Sequence, residues 1–253
     1  MPADYDRVTA NWNIIATVTM EGEWNPAAPL AEAQWLQQMH TVQGRPAAHV
    51  AQAWLDQHDL APLLEALDQL PIVRSVRHKP RANPTPGGAP GGMTDHAFIS
   101  GFRRLRAHGL HFDLQTPWWH LHEAIDLAAS APDTQIILNH TGLPSDRSHD
   151  GIAQWQSAMR ALAAVEQVSV KISGLGLAHR AWTIADNRDI VRRTIDLFGV
   201  ERCLFASNFP VDGLCGSFDT IYRGFSDATE DFSPADRHAL FAGNASRIYA
   251  LDL

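Results

Sequence analysis

The sequence predicts an α/β fold: a (β/α)8 barrel of TIM type in which seven strands are visible and the first is not. Three observations carry this. Short apolar or β-branched runs alternate with helical patterns along the chain, as parallel strands with helical crossovers require. Three of these runs, Ile136–His140, Val168–Ser173 and Cys203–Asn208, end on side chains able to exchange a proton or bind a substrate, and strand C-termini converge on the mouth of such a barrel. No Gly-rich phosphate loop follows any strand, which disfavours the doubly wound open sheet that seven strands would otherwise suit.

The elements follow in order. A short helical pattern, Pro2–Ala10, leads directly into a strand at Ile14–Glu21. Further strands are expected at Ala47–Leu55, Ile72–His78, Leu110–Gln115, Gln135–His140, Val168–Ser173 and Arg202–Ser207. Helices separate them at Leu30–Val42, Leu60–Leu70, Asp95–His108, His120–Ala131, Gly151–Ala163 and Asn187–Phe198, and two more follow at Phe218–Ala228 and Pro234–Tyr249. Ser233 caps the last, with Asp236 in its first turn. Arg81–Gly92, rich in Pro and Gly, is a mobile loop after the third strand. It is either a lid over the mouth or a slack connection.

No internal repeat or second domain is evident, so residues 1–253 read as one barrel domain, short at its N-terminus. A barrel lacking one strand has two unpaired edges, here Ile14–Glu21 and Arg202–Ser207. The expected explanation is that Met1 is internal to a longer chain. A distorted seven-stranded barrel, or a homo-oligomer that covers the edge, is the alternative.

A hydrophobic fraction of 45% supplies a full core, and a net charge of −8 disfavours nonspecific nucleic-acid binding. Arg103, Arg104 and Arg106 read as a solvated helix face. No apolar run approaches the ~18 residues of a membrane span, and the acidic N-terminus has no signal region. Cys203 and Cys215 read as free thiols of a reducing cytosol. A cytoplasmic protein with a small-molecule partner is expected.

The candidate site is built from strand ends. His140 can bind a metal or serve as acid or base. Ser169, Lys171 and Ser173 share one strand face; if it points into the barrel, Lys171 needs an anionic substrate or a barrel carboxylate as partner. An outward lysine is the alternative. Asn208 stands where an Asp would be a base or ligand, and Asp212 supplies a carboxylate only if its loop folds back. Glu21 is a base, a ligand or the partner of Lys171. His78 and Lys79 suit a substrate carboxylate or carbonyl. Trp118, Trp119 and His120 form a pocket wall, or the tryptophans pack between helices. No Gly-x-Ser-x-Gly elbow, His-Glu-x-x-His or Cys-x-x-Cys is present.

Asn139-His140-Thr141-Gly142, Val170-Lys171-Ile172-Ser173-Gly174 and Phe205-Ala206-Ser207-Asn208-Phe209-Pro210-Val211-Asp212 resemble the amidohydrolase-related family of TIM-barrel metal-dependent hydrolases. Val76-Arg77-His78, Phe112-Asp113-Leu114 and the ending Phe241–Tyr249 fit as well. That resemblance, from about Tyr5 onward, implies hydrolysis of a cyclic ester or amide, with lactonases among the relatives. It matches His140 to the family's strand-6 histidine and Asn208 to its catalytic Asp. It implies one divalent metal such as Zn2+, held in part by His140, but the family's first-strand His-x-His pair is absent here. The reading is a lactonase-like hydrolase of an anionic or sugar-derived lactone, with a non-catalytic, carboxylate-binding barrel as its rival. Glu21 or Asp212 would be the substitute base; His78, Lys79, Lys171 and Ser173 would contact substrate.

Overall fold

The computed structural model describes residues 2–251. Met1 lies outside them, and with it the expectation about the start of the chain. Seven strands form one sheet in sequential order: β1 (Val18–Met20), β2 (Ala48–Gln52), β3 (Val73–His78), β4 (His111–Leu114), β5 (Ile136–Leu138), β6 (Val168–Ile172) and β7 (Cys203–Phe205). Every pairing is parallel. Helices α1 (Pro2–Val8), α2 (Pro29–Gln43), α3 (Leu60–Asp68), α4 (His96–Arg104), α5 (Leu121–Ser130), α6 (His149–Ala163), α7 (Ile184–Phe198) and α8 (Phe218–Ala228) alternate with the strands. This is the curled, TIM-barrel-like sheet that the alternation predicts. No helix of the described residues is long and apolar enough to cross a membrane.

Alternation along each strand sorts the side chains onto two faces. Val76, Phe112, Leu114, Ile136, Leu138, Val170, Ile172 and Phe205 face outward and pack against the helices in the larger core. Ala48, Val50, Ile137 and Leu204 face inward and form a smaller core with Ile248 and Tyr249, which enter from the C-terminal end of the chain.

Within the sheet, β1 pairs only with β2, and β7 only with β6. The first strand is shorter than its apolar run: Ile14–Thr17 stay outside the ladder, and Ile15 is 55% exposed. A run of β-branched residues extends a strand only as far as a neighbour offers partners. Its three residues are all half-buried, whereas all three of β7 are buried.

The two edges are covered differently. Behind β7 lies a helical stretch of Pro234–His238, a π-wound turn Ala239–Gly243 and Asn244–Ile248. From it the buried Asn244 Nδ2 donates to the carbonyls of Val200 and Cys203 at 2.8 and 2.7 Å. The N-terminal segment crosses to α8: Trp12 Nε1 and Asn11 Nδ2 both donate to Asp219, and Tyr5 meets Phe218 edge-to-face. Both cysteines are free thiols, as expected.

Replacing Asn244 by Ala removes this donor from the buried Cys203 carbonyl and leaves the half-buried Val200 carbonyl with only the Cys203 N–H. A loss of about 1–3 kcal/mol in unfolding free energy is expected, measured by urea denaturation.

Candidate active site

The inward face of the sheet carries charge in its middle layer. Lys171 on β6 points into the barrel, and its partner is a barrel carboxylate: Nζ lies 2.6 Å from Asp113 Oδ1 on β4. Asp113, fully buried, also accepts from Asn139 Nδ2 at 2.8 Å and from Tyr249 Oη at 3.1 Å. Burial pulls the Lys171 ammonium below its ordinary pKa while Asp113 opposes the fall. Glu21 is therefore not the partner of Lys171.

One layer nearer the mouth, Arg77 on β3 holds Glu21. Its Nε lies 2.5 Å from Glu21 Oε1, and Nη2 donates to the Glu21 carbonyl at 2.9 Å. Lys79, at the rim, is 2.8 Å from Glu23 and 3.8 Å from Glu21.

His140 follows β5 in a left-handed run, with φ of 56° at His140, 51° at Thr141 and 56° at Leu143. Such backbone is costly outside glycine and is retained where the surroundings enforce it. Here Trp155 Nε1 donates to the Thr141 carbonyl at 2.7 Å. The His140 ring lies over Gly174, where a Cβ would come 2.5 Å from Nδ1, so only glycine fits at Gly174. Ser173 Oγ is 2.9 Å from the same nitrogen. Burial, then the charges of Arg77, Lys171 and Lys79, push the His140 pKa down to about 3. The imidazole is neutral, and in the tautomer with its proton on Nε2 the Nδ1 atom accepts from Ser173 Oγ.

The loop after β7 turns on a local hydrogen bond and packs against the loop after β6. Asn208, with φ 53°, donates from Nδ2 to Asp212 Oδ1 at 2.8 Å. Asp212 is 5% exposed, and its Oδ2 has no partner. Burial raises its pKa, opposed by the Asn208 amide and the backbone N–H groups of Gly176 and Leu175. Asp212 and His140 thus both rest on the Gly174–Gly176 stretch.

Four expected pocket residues face elsewhere. His78 is one residue out of phase with Arg77, so it enters the helix layer, stacks on Phe98 at 4.8 Å and sits with Nδ1 3.1 Å from the Leu55 N–H. His120 meets Glu123 Oε1 at 3.0 Å and, through Nε2, the Asn83 N–H at 3.4 Å. Glu123 in turn accepts the N–H groups of Gly91, Gly92 and Met93. His120 therefore anchors the Pro/Gly loop rather than lining the mouth. Trp118 and Trp119 pack edge-to-face between α5 and α6, beside an outer cleft of about 200 Å³. A larger cavity of about 690 Å³ lies at the opposite end of the sheet, lined by Trp12, Thr17, Ala47, Ile72 and Arg74 and remote from all these groups. Arg77, Asp113 and Asn139 were not singled out as site residues by sequence; they lie on the inner face by alternation, Arg77 with Ser75, Asn139 with Ile137, and Asp113 between the outward Phe112 and Leu114.

The comparisons with known proteins agree with this architecture. The amidohydrolase family profile matches residues 7–251. The chain belongs to the amidohydrolase family. It is 37% identical to the uncharacterized protein y4mH of Sinorhizobium fredii, over 94% of this chain and 82% of that one. It is 32% identical to the L-fucono-1,5-lactonase of Burkholderia multivorans, over 63% of this chain and 57% of that enzyme. A crystal structure of an amidohydrolase from Burkholderia multivorans with bound HEPES aligns with TM-score 0.82 and 25% identity, over 100% of this chain and 89% of that one. A second crystal form of that protein, with bound zinc, gives TM-score 0.81.

The residues of this mouth do not fit the divalent metal that the family resemblance implies. Among the described residues no group of three or more His, Cys, Asp or Glu could hold an ion. His140 meets Ser173 at Nδ1 and feels three cations, and Asp113 is filled by Lys171, Asn139 and Tyr249, which leaves only one unpartnered oxygen each on Glu21 and Asp212.

Two predictions follow from the buried charges. Lys171→Met strands the Asp113 carboxylate and is expected to cost about 3–5 kcal/mol in urea denaturation, with most of the loss recovered in Asp113→Leu/Lys171→Met. Burial also holds His49 and His78 at about 4, so with His140 three rings stay neutral in the fold yet protonate near their ordinary 6.5 when unfolded. The unfolded chain binds more protons in that window, so stability should fall as pH drops from 6.5 toward 4. Denaturation curves across that range test it.

Proposed function

We propose that this chain opens a lactone of an anionic or sugar-derived small molecule by adding water to the ring carbonyl. The observation that supports it most is His140: a neutral imidazole at the mouth, fixed through Nδ1 and free to donate from Nε2, ringed by Arg77, Lys79 and Lys171. The named activity of the Burkholderia lactonases agrees with this reading.

In this reading the carbonyl oxygen accepts from His140 Nε2–H, and the hydrogen bond strengthens as the oxygen gains charge. Asp212, a buried carboxyl whose Oδ2 lacks a partner, is the group assigned to take a proton from the attacking water once the ligand opens the turn over it. The tetrahedral oxyanion collapses, the ring C–O bond breaks, and the leaving oxygen takes the proton back from Asp212. Asn208 cannot accept that proton but steadies the carboxylate that does. Glu21, committed to Arg77, holds that guanidinium in place. Arg77 and Lys79 attract an anionic substituent. Ser173 donates to Nδ1 of that His140 tautomer.

The rival reading, carboxylate binding without turnover, draws on the hydrogen bonds that already occupy Asp212 Oδ1. Hydrolysis of a panel of sugar lactones and 2-pyrone-4,6-dicarboxylate, with and without zinc, separates the two. His140→Ala is expected to lower kcat/KM by about a hundredfold or more without changing the unfolding midpoint. Since His140 stays neutral down to about pH 3, it should contribute no limb to the pH–rate profile from pH ~5 to ~8. Full activity in His140→Ala would overturn the assignment.

A further inference from the structure

Each cation at the mouth has a nearest carboxylate of this chain, Lys79 lying also 3.8 Å from Glu21, but the three pairs are not equivalent. Lys171–Asp113 is sealed, with side chains 7% and 0% exposed. Arg77–Glu21 is nearly so, at 9% and 1%. Lys79–Glu23 is open, at 32% and 39%, with 2.8 Å between Nζ and Oε2. A ligand carboxylate cannot displace Asp113 or Glu21 without stranding a buried cation, which is costly. At the rim, an exposed ion pair contributes little, and its members can exchange partners in water.

The loop that carries Glu23 is arranged for such an exchange. Its root is fixed: the Glu21 N–H donates to the Val50 carbonyl, and the Gly22 N–H donates to Glu32 Oε1 at 2.8 Å. Beyond that root Glu23 sits at φ 50°, a left-handed conformation costly to a side chain of its type. Trp24 follows it, 62% exposed. The partner of Glu23, Lys79, is one of the three cations whose charge lowers the His140 pKa.

We infer that Glu23 is a built-in occupant of the carboxylate subsite at Lys79, and that an anionic ligand binds by displacing it. The pair then selects for ligand charge. With Glu23 in place the mouth presents no unmatched cation, and a neutral ligand gains nothing from Lys79. A carboxylate ligand takes over the Lys79 ammonium and releases Glu23, with Trp24, to solvent. This rests on the reading of the same mouth as the substrate site given above, and it narrows the substrate to one bearing a carboxylate near the reacting ring.

The test is calorimetric binding of isophthalate, a planar ring dicarboxylate with no ester to hydrolyse, and of its neutral counterpart isophthalamide. The proteins compared are the full chain, Glu23→Gln, Lys79→Met, the double variant, and the remote exposed control Glu65→Gln. Glu23→Gln is expected to bind isophthalate about two- to fivefold more tightly, the scale of an exposed ion pair. Lys79→Met should bind it roughly tenfold or more weakly, as for loss of a charge-assisted hydrogen bond. The double variant should match Lys79→Met, because Glu23 acts only through Lys79, and isophthalamide should not distinguish the proteins. Unchanged or weaker binding in Glu23→Gln, or no isophthalate binding in any of them, overturns the inference. Graded binding with no turnover of any lactone would leave the exchange standing and remove the hydrolase reading. Turnover with Glu23→Gln indifferent to isophthalate would do the reverse.

Discussion

The buried pair of Lys171 and Asp113 is the interaction on which the rest of the molecule depends. Taking two charges out of water costs several kcal/mol per ion, and attraction in the interior offsets this only when the remaining hydrogen-bonding capacity is filled. Here it is filled. Asn139 and Tyr249 donate to the same carboxylate, so β4, β5, β6 and the C-terminal end of the chain meet at one group. A hydrophobic replacement would fill the space, but it would not join four segments through directional bonds. The sheet pairs only in sequence, with β1 and β7 each bonded on one side. In such a sheet an interior tie across non-adjacent strands constrains the curl that a closed ladder would otherwise impose.

That tie also sets the electrostatics above it. With Lys171 matched by Asp113, its charge reaches His140 only as a residual field, joined by those of Arg77 and Lys79. The result is an imidazole that acts as a dipole rather than an ion. A group held neutral can donate a hydrogen bond at any working pH, whereas a freely titrating His would change role near neutrality. The cations that set this field are themselves paired with Asp113, Glu21 and Glu23, so it acts on the imidazole without leaving a buried charge unmatched.

Much of this could be read from the sequence because it follows from period two. The seven strands, their order of helices and the inward face of Ser169, Lys171 and Ser173 all come from alternation, which local sequence carries. The same rule explains the errors. His78 and Lys79 were chosen for their chemistry at a strand end, but parity sends His78 into the helix layer and leaves Arg77 in the barrel. His120 and the tryptophans lie beyond a strand end, where parity no longer applies and a loop decides direction. The Lys171 partner depended on contacts between residues 58 positions apart, which no periodicity encodes. The short first strand depended on how far its neighbour extends.

The Asn at position 208 is best understood through its neighbour. Taken alone, it replaces a proton acceptor by a group that cannot accept a proton. In the fold it donates to Asp212, four residues on, and with two backbone N–H groups it opposes the burial that would otherwise favour the protonated carboxyl. The turn therefore still presents a carboxylate oxygen toward the strand-6 loop, displaced along the chain and held by the residue that took the usual place. Two adjacent carboxylates there would repel each other and raise one pKa. An amide and a carboxylate attract. In the reading proposed above the acid–base group therefore sits at Asp212 rather than at position 208, and the left-handed backbone at Asn208 is compatible with this, because Asn tolerates that conformation better than most side chains.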